Sequence, residues 1–193
     1  HSFSRRQRQM CIRDRSTSGA GKAPMDELLE QTKLSLENKK IVSKNFTKQI
    51  AFNAIPHIDT FADGGYTKEE LKMVNETKKI LDKNIEITAT CVRIPVLVSH
   101  AESINIEFEN EFTIEKIRNA LNSAEGCVVI DERKDGGYIT PLEAEGKNET
   151  FISRIRKDNS NNKAVNLWCV SDNLLRGAAL NAVEIAEAYI KNK

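Results

Sequence analysis

The chain has 193 residues, 39% of them hydrophobic and 30% charged, with a net charge of +1. That is an ordinary globular composition for one good-sized domain, or one domain with a fragment of another, and it excludes general disorder. No run approaches the roughly 18 apolar residues of a membrane span, and the near-neutral charge gives no general pull toward nucleic acid or anionic lipid.

Residues 1–15 stand apart. They hold Arg5, Arg6, Arg8, Arg13 and Arg15 against one acid, Asp14, so the basic excess sits here and the remainder is mildly acidic. The stretch shows no periodicity and few core residues. Gln7 to Arg15 resembles translated cloning or sequencing adapter, and residues 1–15 are set aside as foreign or disordered; a basic nucleic-acid arm is the alternative.

From Ser16 the texture changes. Ser18-Gly19-Ala20-Gly21-Lys22 opens onto Pro24 and the acids Asp26 and Glu27, a helix start. The cluster is not a P-loop, because Ala23 follows Gly21-Lys22 where Ser or Thr is required. It reads as a plain turn or as backbone that cradles a ligand at a helix N-terminus. Ile50-Ala51-Phe52 is a candidate short strand. Thr67 with Glu70 forms a capping box, and Leu71, Val74, Lys78 and Leu81 share one face of the helix that follows, to about Asp82. Glu86 to Val98 is β-branched and reads as strand, interrupted at Pro95. Ile104, Ile106 and Phe108 alternate with polar residues, a period-2 strand.

Thr113 caps a helix carrying Ile114, Ile117 and Leu121, stopped at Gly126. Cys127–Ile130, Thr150–Ile155 and Val165–Val170 are three further strands. Ser171 or Asp172 caps a last helix with the apolar stripe Leu175, Ala179, Val183, Ala186 and Ile190. The fold class is α+β, a mixed β-sheet of around five strands.

Cys11, Cys91, Cys127 and Cys169 have no CxxC spacing and no histidine at a zinc-finger offset, so no metal site is expected. They read as buried free thiols, with no helix N-terminus or base to activate them. Free thiols and the lack of an apolar leader point to the cytoplasm. His100 ends an apolar strand and is the one candidate acid/base, or else a hydrogen-bonded structural residue. Arg93, inside an apolar strand, needs an anionic partner: a carboxylate of the protein or a substrate. An odd separation of seven puts the two on opposite faces of a regular strand. They converge only if the strand breaks, and Pro95 is the place for it. Glu76 and Lys79, at i and i+3, face the same way on the capped helix, as a solvated surface or as part of a site.

Five ordered blocks go further. They are Ile50-Ala51-Phe52-Asn53-Ala54-Ile55-Pro56-His57-Ile58-Asp59, then Lys68 to Ile80, then Thr90 to Ser103 with Arg93 and His100, then Arg154-Ile155-Arg156-Lys157-Asp158, then Ser171 to Ala179. Together they resemble the C-terminal part of the aspartate-semialdehyde dehydrogenase family, from about Ser16 to the end. The resemblance implies NADP-dependent reduction of β-aspartyl phosphate to aspartate β-semialdehyde with release of phosphate, in lysine, threonine and methionine synthesis. It implies a glyceraldehyde-3-phosphate-dehydrogenase-like domain with helices on one face of the sheet over residues 16–170, for substrate binding and homodimerisation. Residues 171–193 would be a helix returning to a Rossmann-type coenzyme domain. His100 would be the general acid/base, Arg93 the holder of the substrate carboxylate, Glu76 of its amine and Lys79 of the phosphate. Ser18 and Gly19 would line the NADP site with Asn173. The family's Asn-Cys nucleophile and its coenzyme domain have no counterpart in this sequence, and Arg15 stands where a substrate-positioning Gln is expected. The chain alone is therefore expected to be inactive; the alternative is a non-catalytic dimerisation or interaction module.

Overall fold

The computed structural model describes residues 8–192. Six strands form one mixed sheet: β1 Arg8–Arg15, β2 Glu86–Arg93, β3 His100–Glu107, β4 Cys127–Val129, β5 Thr150–Lys157 and β6 Ala164–Ser171, in the order β2-β1-β3-β6-β5-β4. The β1/β2 and β4/β5 pairs are parallel and the others antiparallel.

Residues 8–15 are not disordered, as one form of the sequence reading had it; they form an interior strand between β2 and β3. The charges of Arg13, Asp14 and Arg15 are partnered internally. Arg13 pairs with Glu102 at 3.0 Å and Arg15 with Glu69 at 3.0 Å, while Asp14 Oδ1 accepts from the Ala101 N–H at 2.7 Å. Cys11 is buried in the main apolar cluster. Residues 1–7, the other part of that reading, lie outside the described residues.

Register assigns the two faces. Cys11 stands opposite Ala89 and Ile104, and Ile104 opposite Leu167. With Ile152, Ile155 and Val165 these residues form the main core. It is covered by Met73 of helix α2 (Lys68–Ile80) and by Ile114, Ile117 and Leu121 of helix α3 (Ile114–Ser123). Burying such side chains is worth about 1.5–3 kcal/mol each. Both helices start as the sequence predicts, with a Thr67–Glu70 capping box and a Thr113 cap on the Lys116 N–H. On the other face Ala101, Phe151 and Val170 are covered by Ile139 and by Ala144 of the one-turn helix α4 (Pro141–Ala144). The rest of that face is open: Ile12, Thr88, Thr90 and Ser103 are exposed.

Helix α1 (Lys22–Leu36) packs beyond the sheet end, where Leu28 meets Ile50, Ala51 and Ile55. Ile50-Ala51-Phe52 is buried at its first two residues but is not a strand. The N–H groups of Ile50 and Ala51 go to Gln31 Oε1 instead of a neighbouring ladder, and Phe52 turns at φ 58°. The predicted strand 86–98 ends at Arg93, as Pro95 allows, and residues 94–99 carry the chain across the end of β1. The last helix, α5 (Leu180–Lys191), is entered through a wide turn at Leu175–Ala179, with Asp172 Oδ1 accepting from the N–H groups of Leu174 and Leu175. Its stripe faces solvent: Val183 is 56% and Ile190 71% exposed. Among the described residues no helix is long and apolar enough to cross a membrane.

Candidate active site

The site forms where β1, β2 and β3 end together. Parallel register sets Arg15 beside Arg93, and antiparallel register sets His100 beside Ser171. The β1/β3 ladder stops at Arg13 and Glu102. Beyond it the strands part, and side chains take over the backbone groups. Ala101 N–H goes to Asp14 Oδ1, and Ser16 N–H goes to His100 Nδ1 at 3.2 Å.

That second bond fixes the imidazole. A backbone N–H can only donate, so Nδ1 is the acceptor and the neutral ring carries its proton on Nε2. Nε2 lies on the side of Gly19, where a β-carbon would stand 3.2 Å from it. His100 is buried, and burial, with the positive charges of Arg13 and Arg15 and then Arg93, lowers its pKa to about 3. Desolvation and like charge both oppose protonation, so the resting ring is neutral.

Arg93 is also buried. Its Nη1 donates to Ser16 O at 2.7 Å, and its Cζ lies 5.9 Å from the centre of the Phe46 ring. Burial first, and then the charge of Arg15, lower its pKa to about 10. It stays a cation, and among the described residues no carboxylate pairs with it directly; the nearby carboxylate, Glu69, is bonded to Arg15. A desolvated guanidinium with spare donors is suited to an anionic ligand.

Ser18 and Asn173, far apart in the chain, meet: Ser18 Oγ donates to Asn173 Oδ1 at 3.0 Å. Ser16 Oγ lies 2.9 Å from Ser18 Oγ and 3.2 Å from His100 Nδ1. The structure thus brings His100, Arg93, Ser18, Gly19 and Asn173 into one cluster. Glu76 and Lys79 are not in contact with it. Both are exposed on α2, where Glu76 stands 4.0 Å from Lys72.

Sequence reasoning missed Ser16, Ser99, Phe46 and Glu69. Nothing in the sequence marks Ser99 as a left-handed residue, and Phe46 and Glu69 act through contacts that only the fold creates. Three of the thiols are the reverse of activated. Burial raises Cys11 and pushes Cys91 up to about 11 and Cys169 up to about 12. Cys127 and Cys169 are half-buried rather than buried.

A neutral imidazole held in one tautomer stands beside a buried guanidinium at one end of a mixed sheet. Residues 14–176 match the model of the semialdehyde dehydrogenase dimerisation domain, and the chain belongs to that family. Among its curated relatives is the aspartate-semialdehyde dehydrogenase of Aquifex aeolicus (strain VF5), 48% identical over 178 residues, 91% of this chain and 52% of that protein. The aspartate-semialdehyde dehydrogenase of Campylobacter jejuni is 47% identical over 180 residues, 92% of this chain and 52% of that one. The crystal structure of aspartate semialdehyde dehydrogenase II from Vibrio cholerae, complexed with ASA, superposes with a TM-score of 0.91 at 41% identity. It covers 95% of this chain and 55% of its own. The chain spans about half the length of the relatives it matches.

Proposed function

We propose that this chain is the substrate-binding and dimerisation half of an aspartate-semialdehyde dehydrogenase of the cytoplasm, the enzyme that reduces β-aspartyl phosphate to aspartate β-semialdehyde with NADPH and releases phosphate. The observation that carries the reading is the convergence of His100 and Arg93 on Gly19.

In this reading Arg93 holds the substrate carboxylate with the guanidinium edge that Ser16 O leaves over, since two parallel N–H bonds fix both position and orientation. His100 offers its Nε2 proton to the carbonyl oxygen where negative charge develops and takes it back afterwards, as a general acid/base. Its low proton affinity keeps the ring neutral, which makes it a good donor and a reluctant permanent cation. Glu76 and Lys79 lie toward solvent on α2 and close the site, the carboxylate on the substrate amine and the ammonium on phosphate.

The residues present fit NADP. Asn173 Oδ1 is taken by protein donors, so its NH₂ remains as a donor for the coenzyme, and Gly19 leaves a space that any β-carbon would fill. When bound, the coenzyme supplies hydride. Ser18, Gly19 and Asn173 would hold it.

The open face of the sheet, with Ile12, Thr88, Thr90 and Ser103, is the homodimer surface, and the exposed apolar side of α5 docks on the coenzyme domain. The chain alone, which carries no Asn-Cys motif, does not turn over.

The test is NADPH formation from aspartate semialdehyde, NADP and phosphate. The isolated chain is expected to be silent. The chain joined to the coenzyme half of the Aquifex relative is expected to turn over, and to lose turnover on His100→Asn. Turnover by the isolated chain, or full activity of the joined His100→Asn enzyme, would overturn the reading.

A further inference from the structure

Three donors from two segments meet on one oxygen. Asn173 Oδ1 accepts from Ser18 Oγ at 3.0 Å, from Ser16 Oγ at 3.2 Å and from the Ser99 N–H at 2.9 Å. The last of these is a backbone N–H, which fixes which end of the carboxamide faces the network.

Ser99 has two unfavourable features. Its φ is 73°, the left-handed region that glycine takes readily and serine does not. Its side chain is fully buried, and Ser99 Oγ has no hydrogen-bond partner. Strain of this kind persists only where the surroundings over-determine it. The contact that does so here is the bond to Asn173. Asn173 is in turn set by buried Asp172, whose Oδ1 takes the N–H groups of Leu174 and Leu175 and whose Oδ2 takes that of Gly146 at 2.8 Å.

The residue after Ser99 is His100. We propose that Asn173 is a positioning residue for His100: by holding the Ser99 N–H it fixes the left-handed turn that delivers the imidazole to Ser16 and Gly19. Ser16 closes the ring of contacts: its Oγ donates to Asn173 Oδ1 and its N–H donates to His100 Nδ1. This deepens the functional reading above and rests on it only for the importance of His100.

The experiment is imidazole ¹⁵N NMR on the full chain, with the amide spectrum of β5 and β6 as the control for folding. The wild type is expected to show His100 as one neutral tautomer, protonated at Nε2. Asn173→Ala is expected to average the two nitrogen shifts toward those of a mobile imidazole. Adding Ser99→Gly to Asn173→Ala is expected to restore the single tautomer, because glycine takes φ 73° without an anchor. Asn173→Asp keeps an oxygen acceptor and is expected to keep the tautomer, so the inference stays open to refutation even if Asn173→Ala fails to fold.

An Asn173→Ala chain with unchanged His100 shifts would overturn the proposal. So would a double variant as averaged as the single one, or an Asn173→Asp chain that folds with an averaged ring. The readout uses neither substrate nor coenzyme, so a silent joined enzyme counts against the functional reading alone.

Discussion

His100 and Arg93 both face Gly19: a β-carbon there would stand 3.1 Å from His100 Cε1 and 3.6 Å from Arg93 Nη1. The first distance is tighter than an ordinary contact, and the ring cannot retreat, because Ser16 holds its other edge. Gly19→Ala is therefore expected to cost about 1–3 kcal/mol of stability by overpacking. In the joined enzyme it is expected to lower kcat/KM by about 10- to 100-fold, since small misplacements of an acid/base have effects on that order. Denaturant titration and steady-state kinetics check the two effects separately. Unchanged kinetics would remove Gly19 from the site.

Arg93→Lys preserves charge and loses the fork. One ammonium cannot both satisfy Ser16 O and grip a carboxylate at two points. KM for aspartate semialdehyde in the joined enzyme is expected to rise by about 10- to 100-fold, equivalent to about 1.5–3 kcal/mol for a hydrogen bond to a charged group. A KM within about twofold of wild type would place the carboxylate elsewhere.

His100 titrates near pH 3 in the folded chain, below its ordinary value of 6.5. As pH falls below about 6.5 the unfolded chain takes up a proton that the folded one refuses, so the His100 contribution to stability declines from there toward pH 3 and is present in full above 6.5. Asp14 works in the opposite sense. Burial raises it from 3.8 to about 6, so folding loses stability as pH rises between those values. His100→Asn is expected to flatten the acid limb between pH 6.5 and 3, and Asp14→Asn to remove the loss between pH 4 and 6. Urea midpoints taken across that range decide both; curves parallel to wild type would contradict the burial that causes these shifts.

Glu70 ties α2 to the sheet. One of its oxygens accepts the Thr67 N–H at 2.8 Å and the other the Cys91 N–H at 3.0 Å, both buried. Glu70→Ala strands two donors at about 1–3 kcal/mol each, and Glu70→Gln, which keeps one oxygen, is expected to lose about half as much. Equal losses in the two variants would show that charge, not acceptor count, is what matters there.

Val183→Glu on α5 separates folding from docking. Val183 is already exposed, so the isolated chain is expected to change by no more than about 0.5 kcal/mol. Assembly with a separately supplied coenzyme half, followed by sedimentation, is expected to fail. Unimpaired assembly would leave α5 without its proposed partner.

The sequence made some parts legible and hid others for physical reasons. The Thr67–Glu70 and Thr113 caps, and the alternation at Ile104 and Ile106, are local signals, and the structure reproduces each. The break between Arg93 and His100 was legible from Pro95. Strand β1 was not: in a sequence, charges paired across strands look the same as charges paired with water. Ile50-Ala51 read as strand because an apolar run does not reveal that Gln31 will bond its backbone. Of the site residues, His100 and Arg93 stood out as chemistry in apolar surroundings. Ser99 could not, because a positive φ leaves no mark on a serine.

The order β2-β1-β3 also bears on how the chain folds. Strands β2 and β3 are consecutive and joined only by residues 94–99, yet they do not touch as a hairpin; β1, from much earlier in the chain, lies between them. The quickest local pairing is thus a wrong one, and the native sheet waits on closure of a long loop that brings Arg15 to Arg93 and Cys11 to Ile104. Topologies dominated by such distant pairings fold on the order of milliseconds to seconds. Until β1 is seated, Ser16 is not beside His100, so the imidazole tautomer is set only once that long loop has closed.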